Sequence, residues 1–174
     1  MKKIMVLVLM AVSLCTACGT MPDAAAKAEL PEFLGGLYMF TADYSADGIE
    51  GELEFKKTAV EQCELIFLSP DTVKDLTLHL ANGSVKTEIL GISYQCPIAL
   101  LAEEYPIVLI YNLLSGTGEK PKSVTADKET GSVIYEFEDG TRLIVNDAKP
   151  VSIELPSVPI ALTITSFEII AAAE

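Results

Sequence analysis

The 174-residue chain predicts an α+β protein that is mainly β, a strongly curved antiparallel sheet or half-open β-barrel with a helical lid at about residues 97–114. Three observations predict it. Ile49, Gly51, Leu53 and Phe55 alternate with Glu50, Glu52, Glu54 and Lys56, the period of two that a strand with one wet face requires. Runs of this kind recur and are punctuated by Asn82-Gly83 and Asp139-Gly140, dipeptides suited to tight hairpin turns. Residues 97–114 alone abandon the period and mix small, charged and aliphatic residues, as a covered helix does.

The first segment is not part of that fold. Lys2 and Lys3 precede an uncharged apolar run over residues 4–14, shorter than the roughly 20 residues a spanning helix needs. Thr16 and Ala17 then lead into Cys18 and Gly19. This reads as a secretory signal that ends at a lipid-modified cysteine. Leu14-Cys15-Thr16-Ala17 resembles the bacterial lipobox, with Cys15 where leucine is usual. Residues 1–17 are expected to be removed as a lipoprotein signal peptide, leaving Cys18 acylated with palmitate-type chains. Each buried methylene contributes about 0.8 kcal/mol, so two or more chains anchor stably. The expectation is a cell-membrane protein, lipid-anchored on the extracytoplasmic face of a bacterial envelope.

Residues 18–32, rich in Ala with Pro22 and Pro31, read as the lipidated N-terminus and its tether. Residues 33–174 then form a single β-rich domain. Residues 33–43 are expected as the first strand and 49–56 as the second. Cys63, Leu65 and Phe67 alternate with Glu64, Ile66 and Leu68; Leu76, Leu78 and Leu80 alternate with Thr77, His79 and Ala81. After Asn82-Gly83, Val85, Thr87 and Ile89 continue as the partner strand. Pro106 cannot sit inside one straight helix, so it divides or kinks the 97–114 segment and belongs near the start of its second half. Residues 107–114 are apolar nearly all round except Asn112, as in a helix covered on most sides. Strands resume at 123–127, 132–138, 142–146, 150–155 and 161–170. The total is about eight to ten strands, and a sheet that large must bend or be covered to hide its apolar face.

Charge narrows the function. Twelve basic residues stand against 25 acidic ones, a net charge of −13. Loss of the signal removes Lys2 and Lys3 and makes the balance more acidic still. No basic patch remains for nucleic acid. Of the four cysteines, Cys15 leaves with the signal and Cys18 is acylated. Cys63 and Cys96 remain, either as a disulfide of an exported protein or as two small buried apolar residues.

The strand 65–68 ending in Ser69-Pro70, followed by Leu76-Thr77-Leu78, resembles the LolA/LppX-like superfamily of bacterial lipoprotein carriers. So does the stretch from Glu88 to Tyr94 with Leu90-Gly91-Ile92. The resemblance spans about residues 33–170. It implies a half-open β-barrel closed by helices, in which some members hold acyl chains or lipids. The apolar inward faces become the candidate ligand lining: Leu53, Phe55, Leu65, Phe67, Leu76 and Leu78 from the strands, with Leu101, Tyr105 and Leu109 from the lid. The alternative is that these residues only pack a core.

Other motifs weigh less. Asp43, Ser45, Asp47, Gly48 and Glu54 approach an EF-hand calcium loop. Glu50 stands where that motif takes an aliphatic residue, however, and the flanks alternate as strands, so a hairpin connection is the better reading. His79 is a lone histidine in a strand, without zinc-type spacing. No nucleophile and base can be paired, so no enzyme, metal or cofactor is expected. The expected partners are a membrane, reached through the acyl anchor at Cys18, and either a lipid ligand or an envelope protein. Two readings follow: a lipoprotein that binds a lipid or other apolar ligand between sheet and lid, or a tethered protein-interaction module with a solid core.

Overall fold

A computed structural model of the chain describes residues 29–103, 105–116 and 120–170. Eleven strands form one antiparallel sheet: β1 (Leu37–Ala46), β2 (Ile49–Ala59), β3 (Gln62–Phe67), β4 (Thr77–Ala81), β5 (Ser84–Ile89), β6 (Ile92–Pro97), β7 (Ser123–Ala126), β8 (Val133–Glu136), β9 (Arg142–Asn146), β10 (Lys149–Leu155) and β11 (Ile160–Ile170). The order across the sheet is β6-β5-β4-β3-β2-β1-β11-β10-β9-β8-β7. Two meanders are therefore joined by the pairing of β1 with β11, and the sheet stays open at β6 and β7.

Tight turns set the meanders. Asp47-Gly48, Asn82-Gly83 and Leu90-Gly91 connect directly paired strand ends. Each has positive φ at both central residues, the geometry whose twist matches antiparallel strands. The near-calcium loop at Asp43 is thus a β1–β2 hairpin: Asp43 lies opposite Glu52, and Glu54 runs down β2 away from the turn. Register shifts at Thr41/Ala42, Lys57/Ala59 and Pro150/Ser152 mark bulges, which bend the sheet.

The first strand starts later than its composition suggests. Residues Glu32–Gly35 form a 3-10 turn instead, and Leu30, Phe33 and Leu34 pack against the core. The end of the expected tether is therefore docked on the sheet. The helical segment divides as Pro106 requires, into a 3-10 turn at Ile98–Leu100 and one helix, α1, Pro106–Ser115. Pro106 occupies the first helical position, where its fixed φ helps and its missing N–H costs nothing. Gly116 ends α1 in the left-handed conformation with φ 73°. A Cβ there would lie 2.5 Å from the Leu34 carbonyl oxygen. β6 and β7 are opposite edges of the sheet, and α1, which lies between them in the chain, packs on the concave face against Tyr38 and Lys57. Ile107, Val108, Ile110, Tyr111, Leu113 and Leu114 of α1 are buried there and Asn112 is exposed.

Candidate functional site

Antiparallel partners directly opposite one another share a face, so the registers define rows of side chains on the concave side. The first row is Tyr38, Lys57, Cys63, Leu80, Val85 and Cys96 from β1 to β6. It is buried as far as Val85 and half-buried at Cys96. Here the carbonyl end of α1 is held down. The Tyr38 hydroxyl donates to the Leu114 carbonyl at 2.7 Å. The Lys57 ammonium donates to the carbonyls of Leu34 at 2.6 Å and Ser115 at 2.7 Å. A cation at a helix C-terminus meets the negative end of the helix dipole, which offsets the cost of burying it. Lys57 is 2% exposed, and this burial lowers the pKa of its ammonium. Burial also pushes the Cys63 thiol up to about 12, with the nearby Lys57 charge pulling the other way. The Tyr38 phenol is raised by burial as well.

The second row is Phe40, Phe55, Leu65, Leu78, Thr87 and Tyr94. Phe40, Phe55 and Leu65 are closed, Leu78 and Thr87 are half-buried, and Tyr94 is 68% exposed. Phe55 stacks on Phe40 with ring centroids 5.0 Å apart. The third row continues the trend. Ala42 and Leu53 are buried, Phe67 opposite Leu53 is half-buried, and Ile92 opposite Ile89 on the far arm is exposed. Leu76, whose carbonyl accepts from Phe67 N–H at 2.9 Å, is half-buried between them. Along the second and third rows the concave face is thus sealed toward β1–β3 and opens toward β4–β6, while the first row stays buried through Val85 on β5.

The candidate lining residues divide along that boundary. Leu53, Phe55 and Leu65 expose essentially no surface, so they meet protein atoms and front no open space. Phe67, Leu76, Leu78, Leu101 and Leu109 are half-buried, and Tyr105 at the head of α1 is exposed. The inverse signal, a buried charge at Lys57, was missed by sequence reasoning. Its only mark is parity: counting by twos from Leu53 and Phe55 puts Lys57 on the inner face.

The expected Cys63–Cys96 disulfide is corrected by the register. Both are free thiols. Leu80 and Val85 stand between them in the first row. Three interstrand steps separate their backbones by about 14 Å, beyond the roughly 7 Å a disulfide can bridge. Cys18 and the signal and tether up to residue 28 lie outside the described residues.

A polar cluster lies on the convex face of β3–β5. His79 Nδ1 is 3.3 Å from Glu64 and Nε2 is 3.5 Å from Glu88, and Glu88 is also paired with Lys86. The hydrogen bond from Lys86 holds the Glu88 carboxyl below its ordinary range. The two carboxylates address opposite ring nitrogens, so they share no point where an ion could sit. A shallow depression of about 210 Å³ beside them is lined by His79, Ala81, Asn82, Ser84, Lys86 and Gln95.

These features define a class of architecture: an open, lidded half-barrel sheet with a closed inner end and an open outer one. No protein-family model and no curated protein sequence matches the chain. Among solved structures, an uncharacterized conserved protein from Thermus thermophilus is similar, with a TM-score of 0.52 at 10% identity over 81% of this chain and 83% of that one. A LolA superfamily protein from Nitrosomonas europaea matches with a TM-score of 0.49 at 8% identity, covering 86% and 91%. The Mycobacterium tuberculosis lipoprotein LppX matches with a TM-score of 0.40 at 12% identity, covering 81% and 92%. At 10% identity, the likeness to the Thermus thermophilus protein is one of fold.

Proposed function

We propose that the protein is an envelope lipoprotein, anchored through acyl chains at Cys18, whose sheet and lid hold a lipid acyl chain without making or breaking a bond. One observation supports this above the rest: the second row passes from sealed Phe55 through half-buried Leu78 to exposed Tyr94 without a change of face. The ligand site is accordingly the outer half of the concave face, bounded by Leu76 and Leu78 on β4 and its lead-in and by Leu101 and Leu109 from the lid segment. Burial of acyl surface there contributes about 25 cal/mol per Å².

The test is photocrosslinking of the purified full chain with a phosphatidylcholine that carries a diazirine on one acyl chain. Adducts on peptides containing Leu78 or Leu109, competed by unlabelled lipid, support the reading. Adducts scattered over the convex face, or none, refute it. The packed state of Leu53, Phe55 and Leu65 favours a second reading, a solid tethered module that binds an envelope protein. Absence of competed adducts selects it.

A further inference from the structure

We propose that the β6 edge and the start of the lid segment dock on the lipid bilayer itself, so that the open end of the concave face abuts the membrane. This rests on the lipid-holding, Cys18-anchored reading above.

The surface is unusual within this chain. Residues 89–102 contain no charged side chain, in a protein of net charge −13. Within it Leu90 is 88% exposed, Ile92 72%, Tyr94 68% and Leu100 78%, while Ile98 and Leu101 turn toward the core and exposed Glu103 ends the uncharged run. Leu90 stands at the tip of the β5–β6 turn with φ 50°, so the turn projects an aliphatic residue where hairpins ordinarily carry a polar one. Aliphatic tips beside a tyrosine suit a membrane interface, where the ring is apolar and its hydroxyl stays wet. The charge pattern selects the occupant. An acidic protein approaches a lipid surface most easily through an uncharged face, and a basic protein partner would be drawn to the acidic faces instead.

The tether permits this orientation. The described chain begins beside β1, where Leu30 and Phe33 pack on the core. Leu30 stands twelve positions beyond Cys18, a reach of about 40 Å when extended. The path from β1 to β6 is five strand steps, about 24 Å. An anchor at Cys18 therefore leaves enough chain to lay the β6 edge against the bilayer, and a lipid tail entering the outer concave face would not cross water.

The chain contains no tryptophan, so one introduced indole is an unambiguous probe. Leu90→Trp and Leu100→Trp report the proposed face away from the ligand rows, and Val124→Trp on β7 reports the opposite edge. Each full-length variant is purified from membranes, reconstituted into phosphatidylcholine vesicles with brominated acyl chains and floated. The expected result is loss of indole emission at 90 and 100 and no loss at 124. Vesicle-bound protein with unquenched indoles at 90 and 100 overturns the docking and leaves the anchor and ligand readings intact. Unquenched emission that shifts blue as protein concentration rises assigns the face to a second copy and also overturns it. A chain that does not float with the vesicles overturns both docking and anchor. The crosslinking experiment above reads the ligand site independently.

Discussion

Replacing Phe55 with alanine separates a sealed inner face from a ligand cavity. Phe55 is 0% exposed, lies opposite Phe40 on one side and Leu65 on the other, and has its ring 5.0 Å from Phe40 and 5.7 Å from Tyr38. Truncating such a ring loses its transfer free energy and leaves a cavity, together about 3–5 kcal/mol. A domain of this size is stable by about 5–15 kcal/mol, so Phe55→Ala should remain folded but with a strongly reduced urea midpoint. Leu78, half-buried in the same row, has less to lose, and Leu78→Ala should cost about 1–2 kcal/mol, below the range for fully buried leucines. Urea unfolding followed by far-UV circular dichroism measures both, and an unchanged m-value confirms that only stability moved. A cost for Phe55→Ala no greater than that for Leu78→Ala would refute the reasoning, because it would mean that Phe55 faces space and not packed atoms.

Three further outcomes follow from the same geometry. Both Cys63 and Cys96 should alkylate in denatured, unreduced protein, as read by mass; protection of the pair would reinstate the disulfide. Gly51→Ala should destabilise by about 1–3 kcal/mol through overpacking. A Cβ at Gly51 would fall 2.3 Å from the Ser69 carbonyl oxygen and 2.7 Å from the Tyr44 ring, and a thermal midpoint within experimental error of the parent would count against this packing. The third outcome is alkaline sensitivity. The Cys63 thiol is raised from 9.0 to about 12, so the unfolded state loses that proton first, and the thiol's contribution to stability, complete below pH 9, drains away between pH 9 and 12. At pH 10.5 the loss is about 2 kcal/mol. Tyr38, also raised, adds to it, while Lys57, lowered by burial, acts in the opposite direction as pH rises. Cys63→Ala should therefore lose less stability between pH 8 and 10.5 than the parent in urea titrations, and an identical loss would remove the thiol from the account.

Where sequence and structure agree, a local signal was sufficient. The alternation from Ile49 to Lys56 marks a strand because one face is wet and the other buried. Asn82-Gly83 marks a hairpin because both residues tolerate positive φ. Pro106 marks a helix start because its φ is already helical and it has no N–H to give. Asn112 marked the open side of α1 by being the one polar residue in its run. Disagreements arise where the deciding partner is remote. Leu90 and Ala148 also take positive φ, but neither residue type announces a turn, so the β5–β6 hairpin was not legible. Phe33 looks like a strand residue, and only the packing of its ring on Tyr38 and Phe167 explains the 3-10 turn that carries it inward. Cys63 and Cys96 do face the same side. Counting the strands between them requires the register, which composition does not contain. The candidate lining was legible as a face and not as a boundary, since only the placement of α1 decides which end of each row is sealed.

Lipid carriage requires that an apolar molecule occupy the outer half of the concave face. Native mass spectrometry of the protein extracted from its own membranes in mild detergent measures this directly. The predicted result is an acylated chain carrying one non-covalent lipid that is lost in Leu78→Glu. An acylated chain of bare mass, unchanged when excess phospholipid is added, would contradict it.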